Sequence, residues 1–176
     1  MQHSMNRRCN HWDYSSPAIY MITLIQENRH RPLLGKVVVD RPSNLPEEIL
    51  AHCEPTCLGK IVWKTWSDMM NDFPGIRPLY FQLMEEHIHF ILHVQQTLER
   101  PLGKYIAAFK ARCTQQFRQQ SNSPTASLFA QGFQDTILFR KGQLSRMFHY
   151  LKDNPRRLAV KRLFPDLFRV SRYIPF

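Results

Sequence analysis

Residues with chemical potential gather in two short segments, His87-Ile88-His89 and Tyr150-Leu151-Lys152-Asp153-Asn154-Pro155. On a strand, side chains two apart point the same way. His87 and His89 would then share a face with their Cα atoms roughly 6.6 Å apart, and two neutral imidazoles at that separation can converge on one metal ion. Ile88, Phe90 and Leu92 would take the opposite face and enter a core. His93 shares the histidine face but lies roughly 13 Å along the strand, beyond reach of the same ion. Taken alone, the His-x-His pattern also reads as two ordinary histidines on a half-exposed strand. In the second segment, Tyr150 and Asn154 are four apart and share a face of a helix. A tyrosine hydroxyl can attack a phosphodiester and form a phosphotyrosine. Its usual pKa near 10 makes it a weak nucleophile at neutral pH, so a nearby cation or a metal-polarised phosphate would be needed. Asn154 offers an amide oxygen as a third ligand, and Lys152, Arg156 and Arg157 crowd the region with positive charge. The competing reading is that Tyr150 packs beside the apolar stripe of Leu144, Met147, Phe148 and Leu151.

The partner for such chemistry is suggested by charge. The 176-residue chain holds 24 basic and 14 acidic residues, a net +10. Residues 1–99 carry 9 basic and 11 acidic groups, and residues 100–176 carry 15 and 3. A positive field confined to one half favours a polyanion, nucleic acid before an anionic membrane. Lys104, Lys110, Arg112, Lys152, Arg156 and Arg157 are the phosphate contacts this reading selects. Arg118, Arg140, Lys141, Arg146, Lys161 and Arg162 belong to the same basic group. No apolar run approaches the roughly 18 residues of a membrane span, and no apolar stretch follows the basic residues of the N-terminus, so no membrane partner and a cytoplasmic location are expected. Cys9, Cys53, Cys57 and Cys113 are expected as reduced thiols.

The elements that must position these residues follow from periodicity. Residues 1–16 are polar and aperiodic and read as a flexible leader. Pro17–Gln26 and Lys36–Asp40 read as strands, and Arg41–Gly59, with its three prolines, as a loop. Lys60–Phe73 places Val62, Trp66, Met69, Met70 and Phe73 on one helical face, and Pro74-Gly75 ends it. Ile76–Glu85 and His87–Gln95 read as two strands meeting near Glu85-Glu86. Leu102–Gln119 is a helix with the stripe Leu102, Ile106, Phe109, Cys113 and Phe117. Leu128–Arg140 reads as extended. Gln143–Asn154 is a final helix closed by Pro155, and 156–176 is a basic, aromatic tail. Stripped of its extras the order is β-α-β-β-α-β plus a terminal helix. This is α+β of ferredoxin-like type: an antiparallel sheet with helices on one face, the other face open, and a C-terminal helix carrying the tyrosine.

From Tyr20 to Pro155 the sequence resembles the single-tyrosine HUH transposases, in particular the REP-associated tyrosine transposase branch. The histidine–hydrophobic–histidine signature is matched by His87-Ile88-His89. Arg31-Pro32-Leu33-Leu34-Gly35 resembles the early arginine-containing strand and turn. Leu58-Gly59-Lys60-Ile61-Val62 with Trp66 resembles the first helix, and Phe109-Lys110 with Thr114 the second. Phe133-Gln134-Asp135 resembles the segment before the last helix, and Tyr150 to Pro155 the catalytic Tyr-x-x-x-Asn-Pro helix. The resemblance implies a catalytic domain over residues 17–155, with Tyr150 as nucleophile and His87, His89 and Asn154 as ligands of Mg2+ or Mn2+. It further implies cleavage and rejoining of single-stranded DNA at hairpins through a 5′-phosphotyrosine, and a homodimer. Two positions depart from it. Met84-Glu85-Glu86-His87 stands where the family commonly has Met-Pro-Asn-His, and Asp135-Thr136 where it often has Asp-His. Neither removes an implied ligand.

The residues also admit two further functions: a domesticated protein that holds hairpin DNA without cutting it, and an RNA-binding ferredoxin-like module. The histidine-bearing strand lacks an aromatic pair for base stacking, which disfavours the second. His52, Cys53 and Cys57 lack a second pair at zinc spacing and read as loop residues. His149 is expected at the surface, since adjacent helix residues do not face each other. Trp12, Tyr14 and Tyr173 could stack on unpaired bases.

Overall fold

A computed structural model describes residues 11–121 and 124–168. Four strands form one antiparallel sheet in the order β4-β5-β1-β6: β1 (Ala18–Ile25), β4 (Ile76–Leu83), β5 (His87–Val94) and β6 (Gln134–Ile137). With the inserted hairpin of β2 (Gly35–Arg41) and β3 (Leu50–Pro55) set aside, this is the ferredoxin-like arrangement. Helix α1 (Cys57–Asn71) links β1 to β4 by way of the hairpin, and α2 (Leu102–Ser121) links β5 to β6.

Alternation sorts the two faces of the sheet. Tyr20, Ile22 and Leu24 of β1 and Ile88, Phe90, Leu92 and Val94 of β5 are buried in a core shared with Val62, Trp66 and Met69 of α1 and Ile106, Phe109 and Cys113 of α2. Trp66 anchors it, its ring 4.2 Å from that of Phe90 and 5.7 Å from that of Phe109. Thr56 caps α1 by accepting from the Gly59 amide, which satisfies one of the donors a helix start leaves free.

The second face is not open. Helix α3 (Gln143–Leu163) lies across it, packing Leu144, Met147, Phe148 and Leu151 onto Ile19, Met21, Ile91 and Leu138. The helix does not stop before Pro155 but runs through it for 21 residues. A proline in mid-helix normally costs about 3 kcal/mol. Burial opposes that cost: Ala159 and Val160, beyond the proline, are buried against Val37, Val39, Ile49 and Ala51 of the hairpin region. The first eight residues expected in the tail are therefore helix, and a 3-10 turn, Pro165–Phe168, follows.

The hairpin explains the other difference from expectation. Residues 50–55, expected as loop, pair with β2 from Gly35↔Pro55 to Arg41↔Leu50. The prolines at 42, 46 and 55 lie in the connection or at the strand end, where a missing N–H does least harm. The extended region expected over 128–140 pairs as a strand only at Gln134–Ile137, with an isolated bridge between Gln26 and Phe129. Residues 1–10 of the expected leader lie outside the described residues. Its end packs: Trp12 and Tyr14 rest on the main core, and Trp12 donates to the Tyr20 hydroxyl at 2.9 Å. Tyr173 also lies outside the described residues.

Candidate active site

Two elements far apart in the chain, β5 and α3, meet at the end of the sheet. Strand β5 presents His87 and His89 on the face toward α3, where Thr23 and Ile25 of β1 stand opposite them. The imidazole centroids are 4.7 Å apart with the rings nearly perpendicular, at 76°. Across from them α3 presents Tyr150 and Asn154. A cavity of about 750 Å³ is lined by all four side chains, together with Arg29, Glu85, Glu86, Arg157, Lys161, Arg162 and Phe168. Tyr150 is 44% exposed, so the reading in which it joins the apolar stripe does not hold. Leu151, beside it, is the residue that fills the core.

Burial makes the histidines poor bases. It pushes His87 down to about 4, with Arg29 adding to the effect, and His89 down to about 3, with His87 adding to it. Both rings are neutral at pH 7 and keep a free lone pair. Thr23 Oγ1 lies 2.8 Å from Nδ1 of His89 and donates to Sδ of Met21 at 3.6 Å. This bond engages Nδ1 and fixes the orientation of the His89 ring. Nothing in the sequence around His89 signals Thr23. It is found only through strand pairing across 66 residues.

Glu85, the first departure from the family pattern, is a tie between elements. Its buried carboxylate accepts from the Val37 amide at 2.8 Å and from both terminal nitrogens of Arg162, at 2.8 and 2.5 Å. The Arg162 bonds, then the Val37 N–H, hold its carboxyl below the usual carboxylate range against the opposing effect of burial. The turn before β5, the hairpin and α3 are thus joined at one side chain beside the cavity. Glu86 is more exposed, its carboxylate 4.0 Å from Nδ1 of His87.

The expected phosphate contacts divide. Arg157 lines the cavity and sits 4.9 Å from the centre of the Tyr150 ring. Lys152 is exposed on α3. Arg156 is bound to Asp153 and to the Pro46 carbonyl. Lys104, Lys110 and Arg112 ride on α2, across the sheet from the cavity. Lys110 donates to the carbonyls of Ala130 and Gly132, and Arg112 pairs with Asp72 at 3.5 Å. His149 is exposed and bonded to the Ser145 carbonyl. His52 lies on β3 and pairs with Asp40. Among the described residues no three His, Cys, Asp or Glu side chains converge as a metal cluster, so a metal here would draw on two imidazoles and the Asn154 amide. No described helix is long and apolar enough to cross a membrane.

The fold has a counterpart among solved structures. It is similar to a REP-associated tyrosine transposase bound to a REP hairpin, with a TM-score of 0.55 and 12% identity, covering 81% of this chain and 69% of that one. In sequence, the chain is 21% identical over a 186-residue alignment to a protein of Haemophilus influenzae (strain ATCC 51907 / DSM 11121 / KW20 / Rd) described as uncharacterized, covering 94% of this chain and 96% of that protein. No family model matches the chain.

Proposed function

We propose that this protein cleaves and rejoins single-stranded DNA at hairpins, with Tyr150 as nucleophile. The observation that carries the reading is the one cavity that collects Tyr150 and Asn154 with His87 and His89, more than 60 positions away in the chain. The hairpin-bound transposase of similar fold adds support.

In this reading the Tyr150 oxygen attacks the scissile phosphorus as its proton is lost. The phosphorus–O3′ bond breaks, the 3′ oxygen takes up a proton, and the 5′ phosphate stays on the tyrosine. Attack by a 3′-OH on the phosphotyrosine reverses the step and joins strands. Arg157, 4.9 Å from the centre of the Tyr150 ring, places a cation beside the nucleophile where it can meet the scissile phosphate. His87, His89 and Asn154 would hold a divalent ion, Mg2+ or Mn2+. When bound, it would polarise the phosphate oxygens. Two neutral imidazoles and one amide oxygen suit that role, since they leave coordination positions for phosphate oxygens and water. The same reading carries a homodimer as its working form, which a mass measurement in solution checks.

The test is a denaturing gel. Hairpin-containing oligonucleotides, incubated with the protein and Mg2+ or Mn2+, should yield a protein–DNA adduct that survives denaturation. Tyr150→Phe should abolish it, and His87→Ala should reduce it by at least about 100-fold, the upper range for loss of a metal ligand's support. Cleavage that persists in Tyr150→Phe refutes the assignment of nucleophile. Binding without an adduct under every metal would favour a hairpin-holding protein instead.

A further inference from the structure

The continuation of α3 through Pro155 has a geometric result. At about 100° per residue, Arg146, Tyr150, Asn154, Arg157 and Lys161 fall within a sector of roughly 80°. They form one row about 22 Å long at 1.5 Å rise per residue. The row holds the exposed tyrosine, the half-buried asparagine and three exposed cations. Arg157 and Lys161 line the cavity together with Tyr150 and Asn154, and Arg29 faces them across it.

What sets these cations apart is placement: Arg146, Arg157 and Lys161 stand in the row of Tyr150, and Arg29, Arg157 and Lys161 line its cavity, whereas a lack of ion pairing is shared with Lys104, Lys141 and Lys152. Among the described residues, Arg29, Arg146, Arg157 and Lys161 make no ion pair. The neighbouring cations are engaged: Arg156 with Asp153, Arg162 with Glu85 and Arg112 with Asp72. Lys110 and Arg118 are taken up by main-chain carbonyls. Asp153, the one acidic residue beside the row, is neutralised by the bidentate bonds of Arg156. Lys152 projects from the other side of the helix, roughly 200° from Tyr150 at the same pitch. Glu86 remains as the exposed carboxylate at the cavity.

We propose that a single-stranded DNA segment runs along α3, its phosphates held by Arg146 on one side of Tyr150 and by Arg157 and Lys161 on the other, with Arg29 closing over the strand at the cavity. This rests on the reading of the cavity as a DNA-processing site and adds the path that the strand takes. The row places cations on both sides of the nucleophile, so both the segment entering and the segment leaving the scissile phosphate are gripped. Guanidinium groups supply paired donors to phosphate, and Lys161 a point charge. The path uses the part of the chain beyond Pro155 and needs none of the basic residues of α2.

Salt dependence of binding tests it, with no requirement for cleavage. The probe is a fluorescein-labelled oligothymidine without secondary structure, titrated by anisotropy between roughly 50 and 200 mM salt. Each phosphate contact on a single strand contributes about 0.7 to the slope of log affinity against log salt. Arg157→Gln with Lys161→Gln should lower the slope by about 1.4, and adding Arg146→Gln should lower it by about 0.7 more. Lys152→Gln is the comparison within the same helix, and circular dichroism confirms that each variant is folded. Folded row variants with an unchanged slope, or a loss in Lys152→Gln equal to that of the row, overturn the path while leaving the cleavage reading intact. Wild-type protein that fails to bind oligothymidine at low salt also overturns the path, and the hairpin adduct assay decides the cleavage reading separately.

Discussion

Replacing Glu85 by alanine should destabilise the protein by about 2–3 kcal/mol. The carboxylate is buried, accepts three hydrogen bonds, and joins the hairpin, α3 and the turn before β5. Hydrogen bonds to charged groups are worth about 1.5–3 kcal/mol, and an orphaned amide costs about 1–3 kcal/mol. The full sum would overstate the loss. Arg162 is 53% exposed and regains water when released, so its share is discounted toward the small values of surface pairs. The Val37 amide, left without its acceptor, then accounts for most of the effect. Glu85→Gln, which keeps an acceptor for that amide, should lose only about 1 kcal/mol. Urea unfolding at neutral pH checks both values as a shift in midpoint at constant slope. The contribution also has a pH sense. The native carboxyl lies below its ordinary 4.5, so its stabilisation is present above that value and lost as pH falls through the native range. If Glu85→Ala lies within about 0.5 kcal/mol of wild type, the ordinary spread of surface substitutions, the tie has no energetic substance and the reasoning fails. A loss as large for Glu85→Gln as for Glu85→Ala would instead show that charge, rather than the Val37 amide, dominates.

Further outcomes follow from the same geometry. His87 and His89 refuse protons in the native state down to about 4 and about 3, whereas the unfolded chain takes them near 6.5. Their contribution is complete above pH 6.5 and is lost as pH falls toward those values, at up to about 1.4 kcal/mol per unit for each histidine. Urea midpoints measured in chelator should therefore drop between pH 7 and 5, and His87→Asn with His89→Asn should flatten that drop; an equal drop in the double variant refutes it. Gly59→Ala should destabilise, although alanine in a helix normally gains about 1 kcal/mol over glycine. A Cβ there would meet the Leu34 carbonyl oxygen at 2.0 Å, and overpacking of this kind costs about 1–3 kcal/mol. A rise in melting temperature for that variant would show that the hairpin and α1 can separate freely.

What the sequence by itself determined was local. A period of two put His87 and His89 on one face, and a spacing of four put Tyr150 beside Asn154, because those periods are properties of the backbone alone. The same logic gave the alternation of β1 and β5 and the apolar stripes of α1 and α2, and hence the β-α-β-β-α-β order. Local rules failed where distant burial outweighed them. Pro155 does not end α3, because Ala159 and Val160 find the hairpin to bury against. The proline-rich stretch after β2 contains a strand because β2 supplies its partner. The partners of charge were likewise set by the fold: Lys110 and Arg156 count as cations in the sequence, and the structure binds one to carbonyls and the other to Asp153. Only the tertiary structure could bring the histidine pair to the tyrosine. That meeting depends on α3 lying across the second face of the sheet; the stripe of Leu144, Met147, Phe148 and Leu151 shows that the helix buries a face but not which surface receives it. Thr23 behind His89, and Glu85 as the tie to Arg162, emerge from the same packing, since each joins positions that the chain order keeps far apart.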